Sequence, residues 1–498
     1  MQLAERYALL QFGWVGVSPM RIVQKTVSSL AIAALLASCG GGGGSTGGGA
    51  TGASPPPSPP PTDTSCSLRS RQDFALSALN ADYLFPETLP ANTDSTPFAT
   101  VSDYLDFLTA TARTQRRDRF FTFITSIAEE NAFNTSGATA GFGIRLMNDA
   151  TTRRTFIIEA FEGAPALAAG IDRGAEIVAI GTAANALRNV SDIIAAEGIA
   201  GVSAAIGPST AGLTRILRIT DAQGTRDLSV TKANFSLSPV SSRYGSRIIE
   251  DSGRRIGYLN LRTFISSADP QLRAAFDMFR SNGISQFIID FRYNGGGLVS
   301  TAELMGDLLG GNRSRSEVFS TTIFRPERSA NNETKRFNPQ SQSVSPVKIA
   351  FITTGASASA SELIINSFAP YLRADLALIG GNTFGKPVGQ IAVDRAACDD
   401  RLRIVAFSTR NAIGFDDYFS GLAASVGTTC QATDDVTRQL GDSQEASVRT
   451  ALDFLAGRSC TPIVAGGQTS QSARLAAQPT MLSPANPSAA QREIPGLF

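Results

Sequence analysis

The chain has 498 residues, 44 Lys and Arg against 43 Asp and Glu, a formal net charge of +1, and 42% hydrophobic residues, enough to bury sizeable cores. It contains no histidine, which excludes a Ser-His-Asp triad and the usual imidazole-based catalytic zinc sites. The balanced charge, with no basic stripe or aromatic-basic interleaving, gives no reason to expect a nucleic-acid partner.

Arg21 and Lys25 precede the apolar run Val27 to Leu36, so residues 1–38 read as a signal peptide with Met20 as its expected true start. An uncleaved anchor is the alternative, although the run falls short of the roughly 20 residues that span a bilayer. Leu36-Ala37-Ser38-Cys39 resembles a bacterial lipobox, which makes Cys39 the candidate lipidation site. It implies a lipid-anchored protein of the cell envelope, facing the periplasm, on the outer membrane in preference to the inner. Residues 39–65 are rich in Gly and then Pro, a composition that forms a spacer of roughly 30 Å coiled or about 80 Å extended.

Residues 66–135 show helical periodicity, as in Leu76 with Leu79 and Tyr104-Leu105 with Leu108, interrupted by Pro86, Pro90 and Pro97. We expect a small helical region without chemistry of its own. Residues 136–235 run through Gly141-Phe142-Gly143-Ile144, a strand at 155–160, Gly163 to Ile171, a strand at 174–180, and a helix beginning near Asn189 or Ser191 as cap. That order resembles a PDZ domain. The resemblance implies that Gly141, Phe142, Gly143 and Ile144 receive a peptide carboxylate on backbone amides while the peptide adds as a strand; a small sandwich acting only as a spacer is the alternative.

Residues 236–460 alternate strands and helices: strands at 255–261, 286–290, 347–352 and 401–407, helices at 270–280, 301–309, 363–372 and 443–455, and a hairpin or flap within 312–346. The expected fold class is therefore α/β, with the β-rich domain inserted and the active site at strand ends. Two stretches stand at such ends. Asp290-Phe291-Arg292-Tyr293-Asn294-Gly295-Gly296-Gly297 follows one strand, and Gly355-Ala356-Ser357-Ala358-Ser359-Ala360-Ser361-Glu362 lies between another and a helix. Small residues at a strand-to-helix turn permit a sharp bend and leave the first helix amides facing outward, beside any nucleophile placed there. Without histidine, the base must be a lysine, a carboxylate or an amine, and Lys386 is the leading candidate.

These strings, with Thr383-Phe384-Gly385-Lys386 and Gln390 downstream, resemble the carboxy-terminal processing (tail-specific) serine proteases of Ser/Lys type. The resemblance implies Ser359 as nucleophile, Lys386 as general base, Gln390 as the group orienting it, and the amides of Gly296 and Ala360 as the oxyanion hole. It departs from the family pattern at Asn382, where an acidic residue is usual, and at Pro387, where glycine is usual. Taken alone, Ser359 with Glu362 in the first helical turn also fits an ordinary helix cap. No metal or cofactor is called for. The implied partners are proteins or peptides with free, apolar C-termini. The rival readings are an inert PDZ-containing peptide-binding lipoprotein, or a hydrolase of another acyl substrate.

Beside Cys39 there are Cys66, Cys398, Cys430 and Cys460, widely spaced and without a CxxC pattern. We expect two disulfides, Cys398 with Cys430 and Cys66 with Cys460, four free thiols being the alternative. Residues 461–498 turn to Ala, Ser, Pro and Gln and are expected to be disordered, although Pro495-Gly496-Leu497-Phe498 is the kind of apolar segment that a PDZ groove accepts.

Overall fold

The computed structural model describes residues 66–464 and 479–498. The expected signal peptide, Cys39 and tether lie outside the described residues.

Helices α1 (Leu68–Asp82), α2 (Val101–Leu108) and α3 (Ala110–Thr114) precede strand β1 (Phe123–Ser126) and helix α4 (Ile127–Ser136). Ser67 and Thr100 cap the first two helices by accepting the amides of Ser70 and Asp103. After α4 come β2 (Ala138–Gly141), β3 (Ile144–Asp149), β4 (Arg154–Ala160), α5 (Pro165–Ala168), β5 (Glu176–Gly181), β6 (Arg188–Asn189), α6 (Val190–Ile206), β7 (Thr214–Asp221), β8 (Gly224–Thr231) and β9 (Ala233–Ser236). Strands β2 and β9 pair antiparallel as a neck through which the chain enters and leaves this insert. Strands β3, β4, β5, β7 and β8 form one antiparallel sheet. Alternate residues such as Ile144 and Leu146, or Leu217 and Ile219, point into its core, and α6 closes that core with Val190 and Ile193. Asn189 holds the cap position of α6, but its side chain donates to Asp192 rather than capping the helix.

The larger core follows: β10 (Ser246–Asp251), β11 (Arg254–Asn260), α7 (Ala268–Ser281), β12 (Gln286–Asp290), α8 (Val299–Leu309), β13 (Val318–Phe324), β14 (Glu333–Arg336), β15 (Lys348–Thr353), α9 (Ala360–Leu372), β16 (Leu376–Gly380), β17 (Val388–Arg395), β18 (Asp400–Arg410), β19 (Thr428–Gln431) and α10 (Ala446–Leu455). Six strands make one sheet in the order β10-β11-β12-β15-β16-β19, parallel apart from the β10–β11 hairpin. Phe287, Ile289, Phe351 and Leu378 face the layer of α7, α8 and α9, while Ile288, Ala350, Ile352 and Ile379 face α10. Both faces are covered, which is why these strands are apolar without alternation. Because β12 and β15 are parallel neighbours, with Asp290 opposite Ile352, their C-terminal ends release the glycine turn and the serine turn side by side.

A second, five-stranded sheet is organised by β18, which pairs with β1, β13 and β17. The hairpin expected within 312–346 forms as β13–β14, with β13 extending this sheet. Helices α1 and α2 pack on it through Leu79, Leu105 and Leu108 against Leu402, Ile404 and Val405.

The disulfides join Cys66 to Cys398 and Cys430 to Cys460, not the expected pairs Cys398–Cys430 and Cys66–Cys460. The Arg71–Asp400 ion pair, at 2.6 Å, fixes the start of α1 beside the β17–β18 turn that carries Cys398. Cys460, just after α10, reaches Cys430 because α10 lies over β16 and β19.

The end of the sequence also departs from expectation. Residues 465–478 lie outside the described residues, but 479–498 are folded: β20 (Thr480–Met481) pairs with β3, and α11 (Ala489–Glu493) follows. Leu482, Ile494, Leu497 and Phe498 are buried, each worth roughly 1.5–3 kcal/mol relative to exposure. A polar, Pro-rich composition concealed these few apolar residues, whose partners are distant in sequence.

Candidate active site

Ser359 begins α9 with φ 54° and ψ −112°, a backbone conformation rare for a side-chain-bearing residue. The turn is pinned on both sides. Ser357 Oγ donates to Phe291 O at 2.7 Å and Ser361 Oγ to Asn294 O at 3.2 Å, while Ala358 N donates to Asn294 O. Of the three serines, the flanking two thus spend their hydroxyls on the glycine turn, and the middle one stands between them. Gly296, at φ 120°, abuts it: a Cβ there would lie 2.7 Å from Ser359 Cβ.

Lys386 precedes β17. Its ammonium donates to Gln390 Oε1 at 2.8 Å and lies 4.7 Å from the centre of the Phe121 ring, and Gln390 Nε2 donates to Phe121 O. Arg119 stacks on Phe384 and donates to the carbonyls of Phe384 and Gly385. Desolvation holds the Lys386 ammonium below its ordinary value; Arg119 lowers it further, while Glu493, Asp118 and Glu362 oppose the shift. No hydrogen bond joins Ser359 Oγ to Lys386 Nζ among the described residues.

The two loops are tied together by Glu362. Its carboxylate, fully buried, accepts the amides of Ser359 at 3.0 Å, Lys386 at 2.8 Å and Gly385 at 2.7 Å. Ser359 and Lys386 share the same oxygen. Burial pushes this carboxyl up while the amides hold it down. Phe384 N adds a bond to Ser357 O. Glu362 is therefore more than a partner of the helix dipole; the signal for it in the sequence is the S-x-x-E spacing.

The predicted oxyanion donors divide. Ala360 opens α9, where the first amides have no acceptor within the helix. The Gly296 amide instead donates to Asn294 Oδ1 at 2.9 Å, so in this structure Gly296 contributes close approach rather than a free donor. Arg119 and Phe121 were not anticipated. They belong to the amino-terminal region expected to carry no chemistry, and Pro-interrupted helical periodicity gives no hint that its last turn walls the lysine.

Residues 255–409 match the profile of peptidase family S41. Over 257 residues, 51% of its length, the chain is 26% identical to a carboxyl-terminal-processing protease of Picosynechococcus sp., of which 56% is covered. Over 170 residues it is 31% identical to carboxyl-terminal-processing peptidase 2, chloroplastic, of Arabidopsis thaliana, covering 33% of this chain and 31% of that one. The chain thus spans about half the length of the first relative and about a third of the second. A crystal structure of a Bacteroides fragilis NCTC 9343 protein assigned to the S41 proteases superposes with a TM-score of 0.60, covering 77% of this chain and 97% of that one at 23% identity, a likeness of fold.

Beyond the S41 turns, the predicted groove residues lie at the start of β3. Gly143 N and Ile144 N donate to Phe498 O at 2.9 and 3.1 Å, Phe142 is buried in the insert's core, and a Cβ on Gly141 would meet the Phe498 carbonyl carbon at 2.8 Å. No cluster of metal-ligating side chains occurs among the described residues, and no helix there is long and apolar enough to cross a membrane.

Proposed function

We propose that the chain is a serine endopeptidase of the carboxyl-terminal-processing type, acting on protein or peptide substrates near their C-termini through Ser359 and Lys386. The observation that carries this reading is the shared Glu362 oxygen, which ties the nucleophile's amide and the base's amide to one buried point. Ser359 Oγ attacks the scissile carbonyl and its proton passes to neutral Lys386 Nζ, kept available by desolvation and aligned by Gln390. The Ala360 amide stabilises the oxyanion, and the close approach of Gly296 leaves room for it beside Ser359. Lys386 then returns the proton to the leaving amine, and water hydrolyses the acyl-enzyme. The insert serves as a PDZ-like domain whose β3 edge, from Gly141 to Ile144, captures the substrate's apolar C-terminus. The chain works in the bacterial cell envelope, tethered through Cys39.

The test is cleavage of an unstructured protein with an apolar C-terminus by the full chain and by Ser359→Ala. We expect cleavage by the first alone. Cleavage by both would refute Ser359 as nucleophile, and cleavage by neither, with the peptide still bound, would favour a peptide-binding protein.

A further inference from the structure

Residues 479–498 do more than complete a hydrophobic core. They lie on the same β3 edge twice. Thr480 and Met481 pair with Asn148 and Met147, and Leu482 N donates to Leu146 O. The chain then leaves, forms α11, and returns to the first half of the strand. There Leu146 N donates to Gly496 O at 2.8 Å and Phe498 N to Ile144 O at 2.9 Å, and Phe498 O accepts from Gly143 and Ile144. Leu497 bridges antiparallel to Arg145. This is strand addition, with a buried apolar side chain at the last position.

Between these two attachments the segment passes over the catalytic turn. A Cβ on Gly295 would meet Glu493 O at 2.7 Å and Pro495 Cδ at 3.1 Å, which places the backbone of the tail against the residue next to Gly296. Ile494 and Leu497 pack with Phe133, Phe161 and Ile265, where α4, the insert and the core meet. The Arg145 guanidinium touches both parties, donating to Tyr293 O in the glycine turn and to Pro495 O in the tail. Glu493 is near enough to the Lys386 ammonium to favour its charged form. Ser488 and Ala490 form one wall of a cavity of about 520 Å³ whose other walls include Phe133, Thr139, Asn234 and Phe235.

We propose that residues 479–498 are an intramolecular occupant of the groove and cleft, so that the folded chain rests in a self-blocked state and a substrate must displace its tail. The inference rests on the groove and the catalytic site assigned above. An occupant in cis competes at an effective concentration on the order of millimolar. Only substrates that present a comparable apolar end at high local concentration, or that bind the cleft at the same time, would open the enzyme.

The binding arm uses the Ser359→Ala chain, so that it reads occupancy whether or not the protein cleaves anything. A fluorescent peptide with the sequence of residues 489–498 is titrated against Ser359→Ala and against Ser359→Ala with Phe498→Asp, which places a charge in the apolar site of the tail. We expect the second protein to bind the peptide at least ~10-fold more tightly. Equal affinities, or no binding by either, would overturn the proposal. Hydrogen exchange of the Gly143, Ile144 and Leu146 amides in Ser359→Ala needs no tail variant: slow exchange without peptide is expected, and fast exchange that slows only when peptide is added would overturn it. The activity arm compares the full chain with Phe498→Asp on an unstructured protein and expects faster cleavage by the variant. Cleavage that is absent from both, beside a positive binding arm, would count against the peptidase reading and leave the occupied groove standing; undiminished cleavage by the unaltered chain with equal peptide affinities would do the reverse.

Discussion

The turn that carries Ser359 is held by Phe291 and Asn294, 66 and 67 residues from their partners and released from a neighbouring parallel strand. The pocket that carries Lys386 takes its walls from Arg119 and Phe121, 265 and 269 residues from theirs and brought in by a different region of the chain. Ser359 is thus positioned by the topology of one sheet, and Lys386 by the docking of the amino-terminal helices on a second sheet. A turn of the first kind forms wherever the βα units form. A pocket of the second kind exists only when long-range docking is complete, so distant perturbations should reach Lys386 before they reach Ser359.

The largest expected effects fall on the two groups themselves. Ser359→Ala and Lys386→Met should each lower kcat/KM by more than about 10³-fold, and because the two act as one unit the double variant should be no worse than either single one. Lys386→Arg should not rescue activity, since guanidinium cannot surrender its proton at working pH. A double variant that lost much more than either single would mean that the base and nucleophile act independently.

Next in size are the covalent ties. By loop entropy, replacing Cys66 and Cys398 with Ser should cost about 6 kcal/mol of stability for a span of 332 residues, against about 3–4 for Cys430 and Cys460 with their span of 30. Denaturant midpoints measure this. The contrast drawn above sharpens if the first pair also reduces kcat while the second leaves it unchanged. Glu362→Gln replaces a carboxylate that accepts three amides by a group whose NH₂ faces donors; we expect a loss of about 2–4 kcal/mol in thermal or denaturant unfolding.

The smallest effects are electrostatic. Activity should rise with pH through the lowered Lys386 value, because only the neutral amine accepts the serine proton. Four charged groups influence this ammonium: Glu493, Asp118 and Glu362 favour its charge, and Arg119 opposes it. Glu493→Gln should therefore move the acid limb of the kcat/KM profile to lower pH, and Arg119→Gln should move it to higher pH. Identical limbs in both would show that desolvation alone sets the value.

Sequence legibility divides along the same line. The parallel sheet was readable because its strands, buried on two faces, carry unbroken apolar runs such as Phe287 to Ile289, and the serine turn was readable because it directly follows one of those strands. Gln390, expected from the resemblance, lies on β17 four residues beyond Lys386, which precedes that strand, and accepts from its ammonium. The roles of Arg119, Phe121 and the tail were not, since each depends on which distant surface a polar or Pro-rich segment docks against. The Cys pairing failed for the same reason: spacing says nothing about α1 lying beside the β17–β18 turn. The Gly296 amide was a different kind of miss, because the side chain of Asn294, two residues earlier, captures it.

The Cys66–Cys398 bond has a mechanical consequence. Residue 66 is the first of the described residues, and the disulfide ties it directly to the β17–β18 turn. Any tension transmitted along the preceding residues is divided there between the start of α1 and a hairpin that is clamped into the five-stranded sheet. The strand that follows Lys386 in this hairpin, β17, also carries Gln390, which accepts from the Lys386 ammonium, so strain entering at Cys66 would reach the Lys386 pocket through one covalent bond and one strand.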